Sequence, residues 1–138
     1  MRKHFSLYFT LIFGLTSCSP FDQDKVVANE ESFLEIFEKA KKNNFSHSEA
    51  NGQDAVSEKL RWNRIDRMEI NYADKDFYLK IDSVAIFIKK ATFFSPENRI
   101  VYDFAKKPRL IGGDKIVGAS YERTMISERW YFETIGWD

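Results

Sequence analysis

Hydrophobic and polar positions along the chain fall into three regimes. From Phe5 to Leu15 the residues are predominantly apolar, behind a short cationic start, Met1-Arg2-Lys3-His4. Between Asn29 and Asn44, Phe33, Ile36, Phe37 and Ala40 recur at the i, i+3, i+4, i+7 spacing of one helix face. Asn29 is placed to cap that helix, Glu30 and Glu31 suit its positive end, and Lys39, Lys41 and Lys42 suit its negative end. Asn43-Asn44 is a stop. The polar stretch 45–54, with Asn51-Gly52, reads as a loop, and a short second helix is predicted over Ala55–Trp62 with Asp54 as its cap.

After Trp62 the period shortens towards two and β-formers dominate. Residues 64–72, 77–82, 83–94, 99–104, 115–123 and 126–135 read as strands, with "ADKD" and "SPEN" as turns between neighbours. The run Val84-Ala85-Ile86-Phe87-Ile88 lacks alternation and suits a central strand covered on both faces, or one beside the helix. In 99–104 the alternation sets Ile100, Tyr102 and Phe104 against Arg99 and Asp103. These elements predict an α+β fold: an N-terminal helix, with a second short one, packed on an antiparallel meander of about five or six strands. Such an element order is similar to that of cystatin-like and nuclear-transport-factor-like folds, a likeness that implies an architecture and no function.

The apolar run at the N-terminus, roughly 17 Å long as a helix, is too short to cross ~30 Å of hydrocarbon and has the layout of a secretory signal peptide. It leads to Leu15-Thr16-Ser17-Cys18, which contains the chain's one cysteine. This tetrapeptide resembles the lipobox of bacterial lipoproteins. The resemblance implies a signal peptide over 1–17, a diacylglyceryl group on the Cys18 thiol, and a tether over 18–28 ahead of a single domain spanning 29–138. Ser19 in place of an aspartate after the cysteine implies retention at the outer membrane. Lipid on Cys18 leaves no thiol to form a disulfide, so stability must come from a core, which a domain of roughly 110 residues can build.

Charge narrows the choice of partner. Lys and Arg number 21 against 21 Asp and Glu, and losing Arg2 and Lys3 with a signal peptide leaves a slight acidic excess. Nucleic acid is not an expected partner. Candidate chemistry is sparse: His47 is the only histidine beyond the signal peptide and lies in a polar stretch, and no G-x-S-x-G elbow accompanies it. Asp74-Lys75-Asp76 lacks the glycine and distal glutamate of a calcium loop, and Gly112-Gly113-Asp114 leads into a strand, not the helix a phosphate cradle requires. No catalytic residue, metal or cofactor is expected. The binding candidates are the basic patch Lys106, Lys107 and Arg109 and the aromatics Tyr131 and Trp137, Tyr131 being set by parity on the face opposite Trp130 and Phe132. The preferred reading is a lipid-anchored, non-enzymatic binding module with a protein partner in the envelope, of immunity or inhibitor type. A small-ligand carrier with an apolar pocket and a carboxylate-based hydrolase are the alternatives.

Overall fold

The computed structural model describes residues 23–71, 83–109, 115–118 and 120–136. The expected signal peptide, Cys18, the strand expected at 77–82, Asp74-Lys75-Asp76, Gly112-Gly113-Asp114 and Trp137 lie outside the described residues. The fold is α+β. Three helices, α1 (Gln23–Ala28), α2 (Glu30–Lys42) and α3 (Ala55–Trp62), accompany seven strands: β1 (His47–Glu49), β2 (Arg67–Asn71), β3 (Val84–Lys89), β4 (Glu97–Asp103), β5 (Lys115–Val117), β6 (Tyr121–Ser127) and β7 (Trp130–Ile135).

The helix ends show how local sequence sets local structure. Asp54 accepts N–H bonds from Val56 at 2.8 Å and Ser57 at 2.9 Å, the cap that the sequence predicts for α3. Asn29 acts differently from expectation. Its side chain does not cap α2 but donates back to the Lys25 carbonyl at 2.8 Å, closing α1, which occupies part of the expected tether. Both longer helices stop by one device. Asn44 and Arg64 take left-handed backbone, φ 57° and 55°, so that Phe45 N–H reaches the Ala40 carbonyl and Ile65 N–H reaches the Leu60 carbonyl, each at 2.9 Å. Leu60 and Ile65 are buried in the core.

All seven strands form one antiparallel sheet in the order β1-β2-β3-β4-β7-β6-β5. This corrects the simple meander, because β4 pairs with β7 and not with the next strand in sequence. Three boundaries also differ. The expected loop 45–54 contains β1, the expected strand 115–123 is broken after Val117 into a β5–β6 hairpin, and the expected strand 126–135 contains the turn between Ser127 and Trp130. Both edge strands are three residues long, which limits the unpaired backbone offered to other chains.

The sheet is buried on both faces. One face carries Met68, Ile70, Ala85, Phe87, Ile100, Trp130 and Phe132, clustered with Phe33, Ile36, Phe37 and Ala40 of α2 and Val56 and Leu60 of α3. The Phe33 ring lies 5.0 Å from Phe87 and 5.9 Å from Trp130, and Phe37 lies 5.4 Å from Tyr102. The other face carries a narrower apolar strip of Val84, Ile86, Ile88, Val101 and Tyr131. All five residues from Val84 to Ile88 are therefore buried, as their unbroken apolar run predicts.

Candidate partner-binding site

The second face of the sheet is also where charge is buried. Asp103, the last residue of β4, is fully enclosed and organises the loop that follows. Its carboxylate accepts the Ala105 N–H at 3.0 Å, the Arg109 N–H at 3.0 Å, and the Arg109 guanidinium at 2.8 Å through Nη2. From the other side Arg129 donates to the carbonyls of Asp103 at 2.9 Å and Ala105 at 2.8 Å. The Tyr131 hydroxyl donates to the Arg109 carbonyl at 2.5 Å. Burial alone would raise the Asp103 pKa. The Arg109 side chain and the two backbone N–H groups outweigh it and hold the carboxyl below its ordinary value.

The loop fixed in this way presents Lys106 and Lys107 to solvent beside a cleft of ≈ 390 Å³ lined by Pro108, Arg109, Met125 and Glu128. The structure thus brings four of the five sequence-derived candidates together, but in different roles. Lys106 and Lys107 are exposed. Arg109 is half-buried and held by Asp103. Tyr131 lies on the face its parity predicts, yet it is 0% exposed, which corrects its reading as an outward binding aromatic. Its parity is right, but the second face is itself a core, so the ring packs inside and only its hydroxyl reaches the loop.

Asp103, Arg129 and Glu133 were not legible as site residues. One signal was available for Asp103: an aspartate just ahead of a Pro-containing loop invites an Asx turn, and its carboxylate does accept the N–H two residues on. Four residues back along β4 from Asp103, Arg99 stands opposite Glu133, which in turn stands opposite Arg123 on β6. All three are buried. Glu133 Oε1 receives the Tyr121 hydroxyl at 2.5 Å and lies 3.7 Å from Arg123 Nη1, while Arg99 is also bonded to Glu97 at 2.7 Å.

This geometry bears on chemistry. Asp103 and Glu133 are the two fully buried carboxylates among the described residues, and the register spaces them roughly 13 Å apart along the strands. Carboxylate pairs that cleave glycosidic bonds stand about 5–9.5 Å apart, with one pKa raised, whereas the Asp103 pKa is lowered. His47 stands on edge strand β1, with Glu49 at 3.6 Å and Glu69 at 3.9 Å. Among the described residues no three His, Cys, Asp or Glu side chains converge on a metal-sized site, and no helix is long and apolar enough to cross a membrane. The chain matches no protein-family model, no curated protein and no solved structure.

Proposed function

We propose that the protein is a lipid-anchored, extracytoplasmic binding module that docks an acidic protein surface with Lys106 and Lys107. One observation carries this reading: the fully buried Asp103 carboxylate is committed to holding a surface loop whose outward side chains are two lysines. A loop ordered before it meets a partner loses less entropy on binding, and exposed cations speed encounter with a surface of opposite charge. The cleft beside it, with Met125 and Pro108 in its lining, supplies an apolar component. The partner is an envelope toxin or hydrolase with an acidic rim, which the module blocks.

The attachment is Cys18, acylated after removal of residues 1–17, on the outer membrane. Support for it is the lipobox-like Leu15-Thr16-Ser17-Cys18 behind a short apolar run. The architecture fits a cystatin-like or nuclear-transport-factor-like arrangement with α2 laid across the sheet, and the contacts of Phe33 and Phe37 with strand aromatics support it.

Affinity capture from detergent-solubilised envelope tests the docking site. Wild-type protein should retain a partner whose recovery falls as salt rises, and Lys106→Glu with Lys107→Glu should lose it while melting unchanged. Equal capture by both forms would remove the loop from the interface. Cys18→Ala should separately abolish acyl labelling.

A further inference from the structure

The β3–β4 hairpin ends in a feature the basic loop does not explain. Phe93 and Phe94 are 88% and 92% exposed, and their rings meet edge to face at 5.0 Å. The sequence pattern assigns them to a strand, whereas they form the tip of a tight turn closed by Thr92 and Ser95. Thr92 and Ser95 exchange both backbone bonds, at 2.9 and 3.4 Å, their hydroxyls pair at 2.8 Å, and Phe94 N–H donates to the Thr92 hydroxyl at 3.3 Å. Thr92 and Ser95 thereby satisfy each other, and the Phe94 N–H is taken by the Thr92 hydroxyl. Backbone groups paired in this way cost less to bring into a region poor in water.

We propose that the Phe93-Phe94 tip inserts into the interfacial layer of the membrane on which the N-terminal segment holds the chain, fixing the domain's orientation there. Lys89 and Lys90 sit at the neck of the hairpin, about 10 Å from the tip, the depth at which a buried apolar wedge places cations among anionic headgroups. Each is partly exposed and faces a carboxylate, Lys89 Nζ at 3.1 Å from Asp66 and Lys90 Nζ at 3.6 Å from Glu49; Glu97 beyond the turn is held by Arg99. These pairs keep the neck from being strongly basic, so the apolar tip leads. The neighbouring end of α3 adds Trp62, 81% exposed, just before Asp66, whose carboxylate accepts Lys90 N–H at 2.9 Å.

Two phenylalanines are too small a wedge to recruit a free protein, but tethering raises their effective concentration at the surface. The tip stands roughly 25 Å along the strands from Trp130, which is bonded to Glu30 near the start of α2. Residues 18–22 reach up to ~17 Å, enough to span the roughly 15 Å at which that end of the sheet stands above the headgroups when the hairpin points about 10 Å into the bilayer. The inference rests on membrane attachment at the N-terminus, not on Cys18 as the attachment point.

The test uses the full chain with an N-terminal hexahistidine tag, held on phosphatidylethanolamine–phosphatidylglycerol vesicles by a nickel-chelating lipid. Attachment is thereby guaranteed, and flotation without that lipid reads the anchor separately. An environment-sensitive fluorophore on Phe94→Cys should shift to the blue on vesicles and be quenched by brominated acyl chains. The same label on exposed Lys42→Cys should stay wet, with the parent chain labelled in parallel to subtract any Cys18 signal. Adding Phe93→Ser should reduce the quenching severalfold without changing the melt. A Phe94 label as wet as the Lys42 label on tethered chains overturns the proposal. So does a blue shift without vesicles that grows with protein concentration, which would make a second copy the occupant.

Discussion

The two faces of the sheet bury their residues by different means. The face that meets Phe33 and Phe37 is apolar throughout, from Met68 on β2 to Phe132 on β7. The other begins as an apolar strip at β3 and becomes ionic towards β6, with Arg99, Asp103, Arg123 and Glu133 all enclosed. Apolar burial is non-directional and roughly proportional to area, so the first face sets stability but tolerates repacking. Buried ions must be paired in one geometry, so the second face sets position: Asp103, Arg129 and Tyr131 place a single loop. The face that contributes least apolar area has the clearest link to a surface feature.

The largest effects should come from removing a ring from either face. Phe37→Ala and Tyr131→Ala should each cost ~3–5 kcal/mol in denaturant melts, a large share of the ~5–15 kcal/mol typical of a domain. Sequence parity alone makes Tyr131 the mild substitution, because an outward ring loses little. Its full burial against Val101 and Ile86 predicts parity of cost instead. A Tyr131→Ala melt within 1 kcal/mol of wild type would show that the second face is not a core.

Next in size is the ionic row. Glu133→Gln leaves Arg123 buried with its partner neutralised and should cost about 3–4 kcal/mol. The double variant Arg123→Met with Glu133→Leu should recover most of that loss, since Arg99 keeps Glu97 and an apolar pair fits between neighbours already enclosed. A double-mutant cycle by urea melts reads the coupling. Additive losses would mean the row contributes through packing, as the first face does, and the contrast between faces would fail.

What the sequence made legible follows the same division. Helix α3 and its Asp54 cap, the stop at Asn44 and the doubly covered β3 come from local signals: side-chain capping, left-handed backbone and an unbroken apolar run. The β4–β7 pairing joins residues far apart in sequence, and nothing local encodes it. The turn at Glu128-Arg129 carries no Gly, Pro, Asn or Asp, so the expected strand 126–135 runs straight across it, while Gly118 offers a break at the β5–β6 turn. Of the site, Lys106 and Lys107 stood out as a charge cluster. The carboxylate that fixes them was hidden, since a polar residue at an outward parity reads as solvated until the covering of that face is known.

Acid should separate the faces more gently. The Asp103 pKa is lowered on folding, so its contribution is fully present above the ordinary carboxylate value and is lost as pH falls through the lower folded value. At neutral pH Asp103→Asn should cost about 1.5–3 kcal/mol, the worth of hydrogen bonds to a charged group. The gap between parent and variant should close as pH drops below about 4, the range in which an unfolded aspartate takes its proton. Urea midpoints of both proteins across that range give the measurement. A gap independent of pH would assign the loss to shape and not to charge.

The smallest effect is expected at His47, at the exposed β1 edge of the second face. It lies on edge strand β1 with its side chain 52% exposed and its nearest carboxylates, Glu49 and Glu69, at 3.6 and 3.9 Å. Exposed pairs of this kind contribute about 0–1 kcal/mol, because water screens them and the side chains must be ordered to meet. The backbone bonds of β1 to β2 do not depend on the ring. His47→Ala should therefore shift the urea midpoint by less than about 1 kcal/mol equivalent and leave partner capture by Lys106 and Lys107 unchanged. If capture fell while the melt held, the surface that matters would be the β1 edge, with His47, Glu49 and Glu69 as its polar groups, and the ionic face would return to being only part of the scaffold.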